Sequence, residues 1–180
     1  HLVAAVAALA LFAPAARAQR PGSSLPAIDS ASLWNTLGAL SADSMQGRRM
    51  GTAGSAAARA LLLRRLSGAG LAPLTPGFVQ PFAVTGRDTT VKQGVNVLAM
   101  VRGADTSRVL LVSAHYDHLG VRDGQVFNGT DDNASGTAAV LAIAEFYAGH
   151  PPRHSMIFAF WDGEESGLRG ARAFVAAPPL

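Results

Sequence analysis

The 180-residue sequence contains no cysteine. That absence excludes a disulfide framework, thiolate zinc ligands, a cysteine nucleophile and a cysteine-linked lipid anchor. Basic charge is also dispersed, because no run of Lys and Arg exceeds two residues and Lys92 is the one lysine among 15 basic residues. Aromatic residues make up 7% of the chain, whereas nucleic-acid surfaces combine clustered charge with stacking rings. We therefore expect no nucleic-acid partner.

The remaining composition is that of a chain able to build a core. Hydrophobic residues account for 49% and charged residues for 15% of the sequence, which excludes a disordered tail and a coiled coil. The length suggests one domain or part of a larger one.

The first residues are apolar and rich in alanine. Residues 2–16 are interrupted by Pro14 and followed by Ala16-Arg17-Ala18 and a polar stretch, a pattern typical of the hydrophobic region and cleavage site of a secretory signal. They are short for a membrane span, which needs about twenty apolar residues; an uncleaved anchor and a buried helix are the alternatives. We predict a signal-peptide remnant at 1–18, the N-terminal portion of a single domain at 19–180, and an exported protein, periplasmic or extracellular, without a stable membrane span.

Helical and strand patterns alternate along the rest of the chain. The patterns predict helices over 52–67, 134–148 and 168–176, and strands over 78–84, 95–101, 109–112 and 156–161. The continuous branched run 109–112 is typical of a strand buried on both faces. This order predicts an α/β fold with three layers, in which helices cover both faces of a mixed, largely parallel sheet.

Ionisable residues cluster where the predicted strands end. The clusters are His115-Tyr116-Asp117-His118 after the strand at 109, Asp131-Asp132-Asn133 before the helix at 134, and Glu164-Glu165 after the strand at 156. Ligands in α/β folds collect beyond the carboxyl ends of strands. Histidine with carboxylates and without cysteine suits a hydrolytic zinc or cocatalytic metal site.

Each cluster taken alone has a simpler interpretation. His115 could be a satisfied core histidine, Asp131 and Asp132 could cap the following helix, and Glu164 and Glu165 could form a solvated turn. The coincidence of all three at strand ends in one chain favours the metal site.

Three segments carry a family resemblance. SAHYDHLG, GTDDNASG and FAFWDGEESGLRGARAF closely resemble the three N-terminal metal-site motifs of the M28 family of zinc peptidases, of the aminopeptidase Y and aminopeptidase S type. Residues 43–52 resemble that family's lead-in to its first long helix. The resemblance thus runs from about residue 40 to the end of the chain.

The resemblance implies a role for five residues. His115 would bind the first of two zinc ions, Asp132 would bridge both, and Glu165 would bind the second. Glu164 would be the general base, and Asp117 would orient the imidazole of His115. The Asp132–Asn133 peptide is cis in relatives. The implied activity is that of an aminopeptidase, which removes residues one at a time from peptides with a free amino terminus.

The sequence also departs from the family pattern, which requires a further aspartate and a further histidine after the Glu-Glu pair. Neither residue type follows Glu165. His118 is expected on the opposite face from the motif, and His150 and His154 flank a Pro-Pro turn where a solvated role is expected. We therefore expect the chain to be truncated at both ends, with the remaining ligands beyond Leu180, and to bind metal weakly and catalyse poorly by itself.

Other functions share parts of this pattern. Glutaminyl cyclases and carboxypeptidases of the same fold carry these motifs but act on other substrates. Receptor-like relatives have eroded metal ligands, and the presence of His115, Asp132, Glu164 and Glu165 argues against that reading. A serine hydrolase of the Gly-x-Ser-x-Gly type is excluded because the motif is missing.

Overall fold

The computed structural model describes residues 27–86 and 89–179, so the predicted signal segment lies outside the described residues. The helices are α1 (Ser30–Leu40), α2 (Ala53–Gly68), α3 (Gly136–Gly149) and α4 (Arg169–Ala176). The strands are β1 (Ala72–Pro73), β2 (Val79–Thr85), β3 (Val91–Val101), β4 (Asp105–His115), β5 (Gly120–Arg122), β6 (Gln125–Phe127) and β7 (His154–Trp161). The predicted helices and strands are present with shifted ends, whereas α1, β1, β5 and β6 were not predicted.

Five strands form one mixed sheet in the order β1-β3-β7-β4, with β2 also paired to β3. β3 is antiparallel to β1, β2 and β7, and β4 is parallel to β7. The mixed sheet is confirmed, but the predicted parallel majority is wrong over the described residues. Hydrophobic patterns do not distinguish a parallel from an antiparallel partner when both faces of a strand are covered.

Helices cover both faces of the sheet, as the three-layer prediction required. α2 contributes the predicted apolar stripe of Ala58, Leu62 and Leu66 to the larger core, where Phe158 and Phe160 of β7 meet it. Ala159 points to the other face and packs with Phe174 of α4, because successive strand residues face opposite sides. β7 therefore contributes to both layers, as does its neighbour β3 with Val97 and Ala99 on one face and Leu98 on the other.

β4 differs from its prediction. Val109, Leu110 and Leu111 are 49%, 54% and 44% exposed, so the expectation of burial on both faces is wrong for this segment. The physical reason is position: within the described residues β4 lies at the edge of the sheet and pairs on one side, with β7. A branched apolar run predicts a strand but does not reveal what covers it.

Candidate metal centre

The parallel pairing of β4 and β7 brings two of the three ionisable clusters together. His115 is the register partner of Trp161, and the backbone N–H of Tyr116 donates to the carbonyl of Trp161 at 2.9 Å. The two strands therefore end at the same edge of the sheet. The segment after β4 carries Asp117, and the turn after β7 carries Glu164 and Glu165.

The two ring nitrogens of His115 face different groups. Nε2 lies 3.0 Å from Oδ1 of Asp132 and 3.9 Å from Oε2 of Glu164. Nδ1 lies 3.1 Å from the backbone oxygen of Asp117 and 3.7 Å from its carboxylate. A proton on Nδ1 would be held by Asp117 and would leave the Nε2 lone pair directed at the carboxylates, which is the arrangement of metal-binding histidines.

The charges around His115 affect its titration. Burial acts to lower the pKa of His115, but the hydrogen bonds and charge of Asp117, together with the charge of Glu164, outweigh burial and leave that pKa raised. The cluster thus attracts positive charge to this position.

Asp117 has a second contact that the sequence did not indicate. Its Oδ1 accepts a hydrogen bond of 3.0 Å from the backbone N–H of Glu164, and the residue is buried. One carboxylate therefore faces His115 and also fixes the start of the turn that carries Glu164 and Glu165. No spacing in the sequence links residues 117 and 164, so the contact could be found only in the folded chain.

The loop before α3 supplies the third cluster. The Asp132–Asn133 peptide is cis, as the family resemblance implied. The side-chain oxygen of Asn133 accepts from the N–H of Gly136 at 2.9 Å, and no side-chain cap comes from Asp131 or Asp132. The capping interpretation is therefore not supported. The Asp132 side chain is 65% exposed and directed at His115.

His118 corrects the sequence prediction. Its Nδ1 lies 2.5 Å from Oε1 of Glu165, and His118, Asp132 and Glu165 each offer a ligand atom within 4.8 Å of the others. The expectation that His118 lies on the opposite face is wrong, because β4 ends at His115 and the strand period no longer applies three residues later.

The two remaining candidate histidines lie in contacts of their own. His150 stacks on Phe146 with ring centroids 4.5 Å apart and contacts the carbonyl of that residue. His154 lies 3.4 Å from the carboxylate of Asp105. Neither belongs to the three-residue cluster found among the described residues.

Arg48 ties this region to the rest of the fold. The side chain is fully buried and donates to the carbonyls of Leu40 (2.5 Å), Tyr116 (2.8 Å), Asn128 (2.7 Å) and Gly129 (2.9 Å). Burial lowers the pKa of Arg48, and the charges of Asp117 and Asp132 oppose that shift. The sequence showed this residue within the family lead-in, but it gave no sign that Arg48 supports the loop of residues 128–135, which carries Asp132 and is called the Asp132 loop below.

Gly129 lies near the start of the Asp132 loop and has a left-handed backbone conformation, with φ +54°. A Cβ there would lie 2.3 Å from the backbone oxygen of Asp132 and 2.5 Å from the His118 ring. Gly124 also has positive φ, +77°, but a Cβ there would meet nothing within 4 Å. Both alanine variants carry backbone strain, and the Gly129 variant adds overpacking of about 1–3 kcal/mol. We expect Gly129→Ala to lower the free energy of unfolding by that amount more than Gly124→Ala. Equal losses in urea titrations of the two variants would mean that the Gly129 contact is not tight.

Asp162 is a buried acid beneath the site. Its Oδ2 accepts from the N–H of Val95 at 3.0 Å, while Oδ1 has no hydrogen-bond partner. Burial, with the charge of Asp117, raises the pKa of Asp162 to about 6. Between about pH 4 and pH 6, the folded chain therefore keeps a proton on Asp162 that an unfolded aspartate would lose.

The pH dependence of stability follows from this shift. A carboxyl whose pKa is raised on folding contributes most below its unfolded pKa of about 4, and the contribution is lost as the pH rises through about 6. A shift of about two units corresponds to about 3 kcal/mol. We expect Asp162→Asn to remove this decline between pH 4 and pH 6. Parallel pH profiles of wild type and variant in urea unfolding would contradict the assignment.

The donors present suit zinc. The cluster of His118, Asp132 and Glu165 offers one imidazole and two carboxylates without thiolate. His115 lies outside that cluster but adds a second imidazole 3.0 Å from Asp132, where strand ends converge. Nitrogen and oxygen ligands of this type are those of catalytic zinc sites. The residues that the sequence predicted for the metal, His115, Asp132 and Glu165, lie together at one edge of the sheet.

Comparison with known sequences agrees with this chemistry. Residues 96–180 match the profile of peptidase family M28. The "vacuolar membrane protease" of Candida albicans is 44% identical over 84 residues, which cover 46% of this chain and 9% of that protein. The protein of the same description from Schizophyllum commune is 38% identical over 87 residues, covering 48% of this chain and 9% of that protein. The chain therefore matches about a tenth of the length of these relatives.

Solved structures of similar fold are longer than the part matched here. A Zn-dependent exopeptidase from Parabacteroides distasonis has a TM-score of 0.72 at 20% identity, covering 87% of this chain and 59% of that one. A glutaminyl cyclase from Porphyromonas gingivalis has a TM-score of 0.69 at 25% identity, covering 83% and 56%. Most of this chain therefore superposes on a part of the zinc-exopeptidase-like mixed α/β fold.

Proposed function

We propose that the protein is a zinc-dependent aminopeptidase that hydrolyses N-terminal residues from peptides, because residues 96–180 match the profile of peptidase family M28. One observation carries the proposal: His115, Asp132 and Glu164 converge at the shared carboxyl edge of β4 and β7, with 3.0 Å and 3.9 Å from the His115 Nε2 to the two carboxylates.

The metal would be held by His115, Asp132 and Glu165, with two zinc ions in the family pattern. His118 contacts Glu165 at 2.5 Å and would fix its carboxylate or share in binding. Bound zinc supplies Lewis acidity, which lowers the pKa of water and polarises a carbonyl.

Glu164 is placed to move protons. Its backbone is anchored by Asp117, and its side chain is 34% exposed, so the carboxylate reaches both the cluster and the solvent side. We assign it the role of general base: it accepts a proton from the attacking water and delivers it to the leaving amine. Asp117 is the positioning residue, since it contacts His115 and the Glu164 backbone together.

We propose an exported protein acting on peptides with a free amino terminus, on the basis of the apolar segment before residue 19. Within the described residues, no helix is both long and apolar enough to cross a bilayer. The membrane location in the relatives' descriptions is a property of those proteins.

A second candidate is glutaminyl cyclisation, which the Porphyromonas gingivalis neighbour favours with its 25% identity. The two reactions give different products from one peptide. A peptide beginning with glutamine yields free glutamine with an aminopeptidase, and a pyroglutamyl peptide with loss of ammonia with a cyclase.

The test uses the full-length protein with matched peptides that have free, acetylated and glutaminyl N-termini. We expect cleavage of the first residue from peptides with a free N-terminus. A zinc chelator should lower the rate at least about 100-fold, and added zinc should restore it. Mass spectrometry identifies the products. Cleavage that is indifferent to chelator would contradict the metal assignment, and removal of C-terminal residues or cyclisation would replace the aminopeptidase.

A further inference from the structure

We propose that a basic pocket beside the metal centre binds a carboxylate of the peptide substrate, so that the enzyme prefers acidic peptides. The inference rests on the proposed peptidase function and adds a substrate class to it. The pocket has a volume of about 420 Å³ and its wall includes four basic side chains, Arg49, Lys92, Arg122 and Arg169.

The charges in the pocket are unequal. Of the residues that the structure describes, four basic side chains line it against two acidic ones, Asp117 and Glu165, an excess of two positive charges (4 − 2). Both carboxylates are already engaged, Asp117 with the Glu164 backbone and Glu165 with His118. Among the described residues, none of the four basic groups forms an ion pair with a carboxylate. An incoming anion would therefore meet uncompensated positive charge.

Three of the four basic side chains are positioned by specific contacts. Gly120, at φ +85°, leaves room for the stem of Arg49, because a Cβ there would lie 2.8 Å from the Arg49 Cβ. The Arg122 guanidinium lies over the Phe127 ring, 5.6 Å from its centroid. The Nε of Arg169 donates to the Ser166 carbonyl at 3.0 Å. The basic residues also come from segments far apart in sequence, so the fold itself assembles the charge.

The pocket opens at the reaction site. His118 and Glu165 belong both to its wall and to the candidate metal cluster. A substrate group in the pocket would consequently lie next to the bond under attack. Its volume lies within the range of small-ligand pockets, enough for an acidic side chain or a short chain terminus. The shared ligand chemistry is a carboxylate, supplied by a side chain or by the C-terminus of a short peptide.

The first test measures how fast the full-length protein hydrolyses matched peptides. In the first pair, one peptide has Glu and the other has Gln at the first or second residue, and both C-termini are amidated. In the second pair, both peptides have Gln at that position, and one C-terminus is free while the other is amidated. We expect kcat/KM to be about tenfold higher for the carboxylate member of at least one pair at low ionic strength, falling toward parity at about 1 M salt. The pair that responds identifies the source of the carboxylate.

Variants locate the preference. Arg122→Gln combined with Arg169→Gln is expected to bring the ratio to about one. Arg172→Gln is the matched control, since it lies on the same helix α4, is exposed, and is not part of the pocket wall. A ratio unchanged in the double variant, or lost equally in the control, would overturn the proposal.

A binding measurement separates this proposal from the peptidase function. Fluorescence anisotropy of labelled peptides with the Glu164→Gln variant reports affinity without turnover. We expect about tenfold tighter binding of the carboxylate peptide, lost in the triple variant that adds Arg122→Gln and Arg169→Gln. Such binding in a protein that hydrolyses no peptide would support the pocket and refute the function. Hydrolysis with equal rates and equal affinities for both members of each pair would refute the pocket and leave the function standing.

Discussion

Replacement of Glu164 with glutamine is expected to lower kcat about 10²–10⁴-fold while zinc remains bound. The amide keeps the size of the side chain and leaves the backbone hydrogen bond to Asp117 in place, but it cannot accept a proton from water. The measurement is steady-state kinetics of the full-length protein on a free peptide, together with its zinc content by mass spectrometry.

Asp123→Asn is the matched control for that variant. Asp123 is an exposed acid in the turn between β5 and β6, away from the metal cluster. Its replacement removes the same charge and should leave kcat within about twofold, because surface substitutions away from special features have small effects. Turnover of Glu164→Gln close to that of the control would show that another group removes the proton.

Replacement of Arg48 with methionine is expected to destabilise the fold by about 2–5 kcal/mol. Methionine fills similar space but leaves four backbone carbonyls, those of Leu40, Tyr116, Asn128 and Gly129, without their donor. A buried acceptor left without a partner costs about 1–3 kcal/mol, and relaxation or water recovers part of the sum. Urea denaturation measures the loss.

Arg64→Met serves as the control for the Arg48 experiment. Arg64 lies on the exposed face of α2, so its replacement is expected to change the free energy of unfolding by no more than about 0.5 kcal/mol. Arg48→Lys should recover only part of the loss, since an ammonium cannot reproduce the planar fork of donors. Similar stabilities for Arg48→Met and Arg64→Met would show that the buried network contributes little.

Much of the fold was predictable because the local patterns agree with it. The stripe of Ala58, Leu62 and Leu66 predicted α2, and the apolar run ending at Trp161 predicted β7. Strand direction and the edge position of β4 were not predictable, because an apolar run looks the same whatever pairs with it.

The site was predictable to a similar depth. Residue types and motif order indicated His115, Asp132 and Glu164. The structure brings the carboxylates of Asp132 and Glu164 within 3.9 Å of Nε2 of His115. His118 was misplaced because the strand period was extended beyond the end of β4. Arg48 lies 68 residues from Tyr116 in the sequence, and contacts between side chains and backbone at that separation leave no periodic signal.

The proposed zinc ligands are His115, Asp132 and Glu165. Crystals of the full-length protein grown with zinc should be measured with X-rays on both sides of the zinc absorption edge. We expect anomalous peaks bounded by His115, Asp132 and Glu165, with coordination distances of about 2.0–2.2 Å to nitrogen and oxygen. Zinc-loaded crystals without a peak among these three side chains, or with zinc bound elsewhere in an active enzyme, would contradict this assignment.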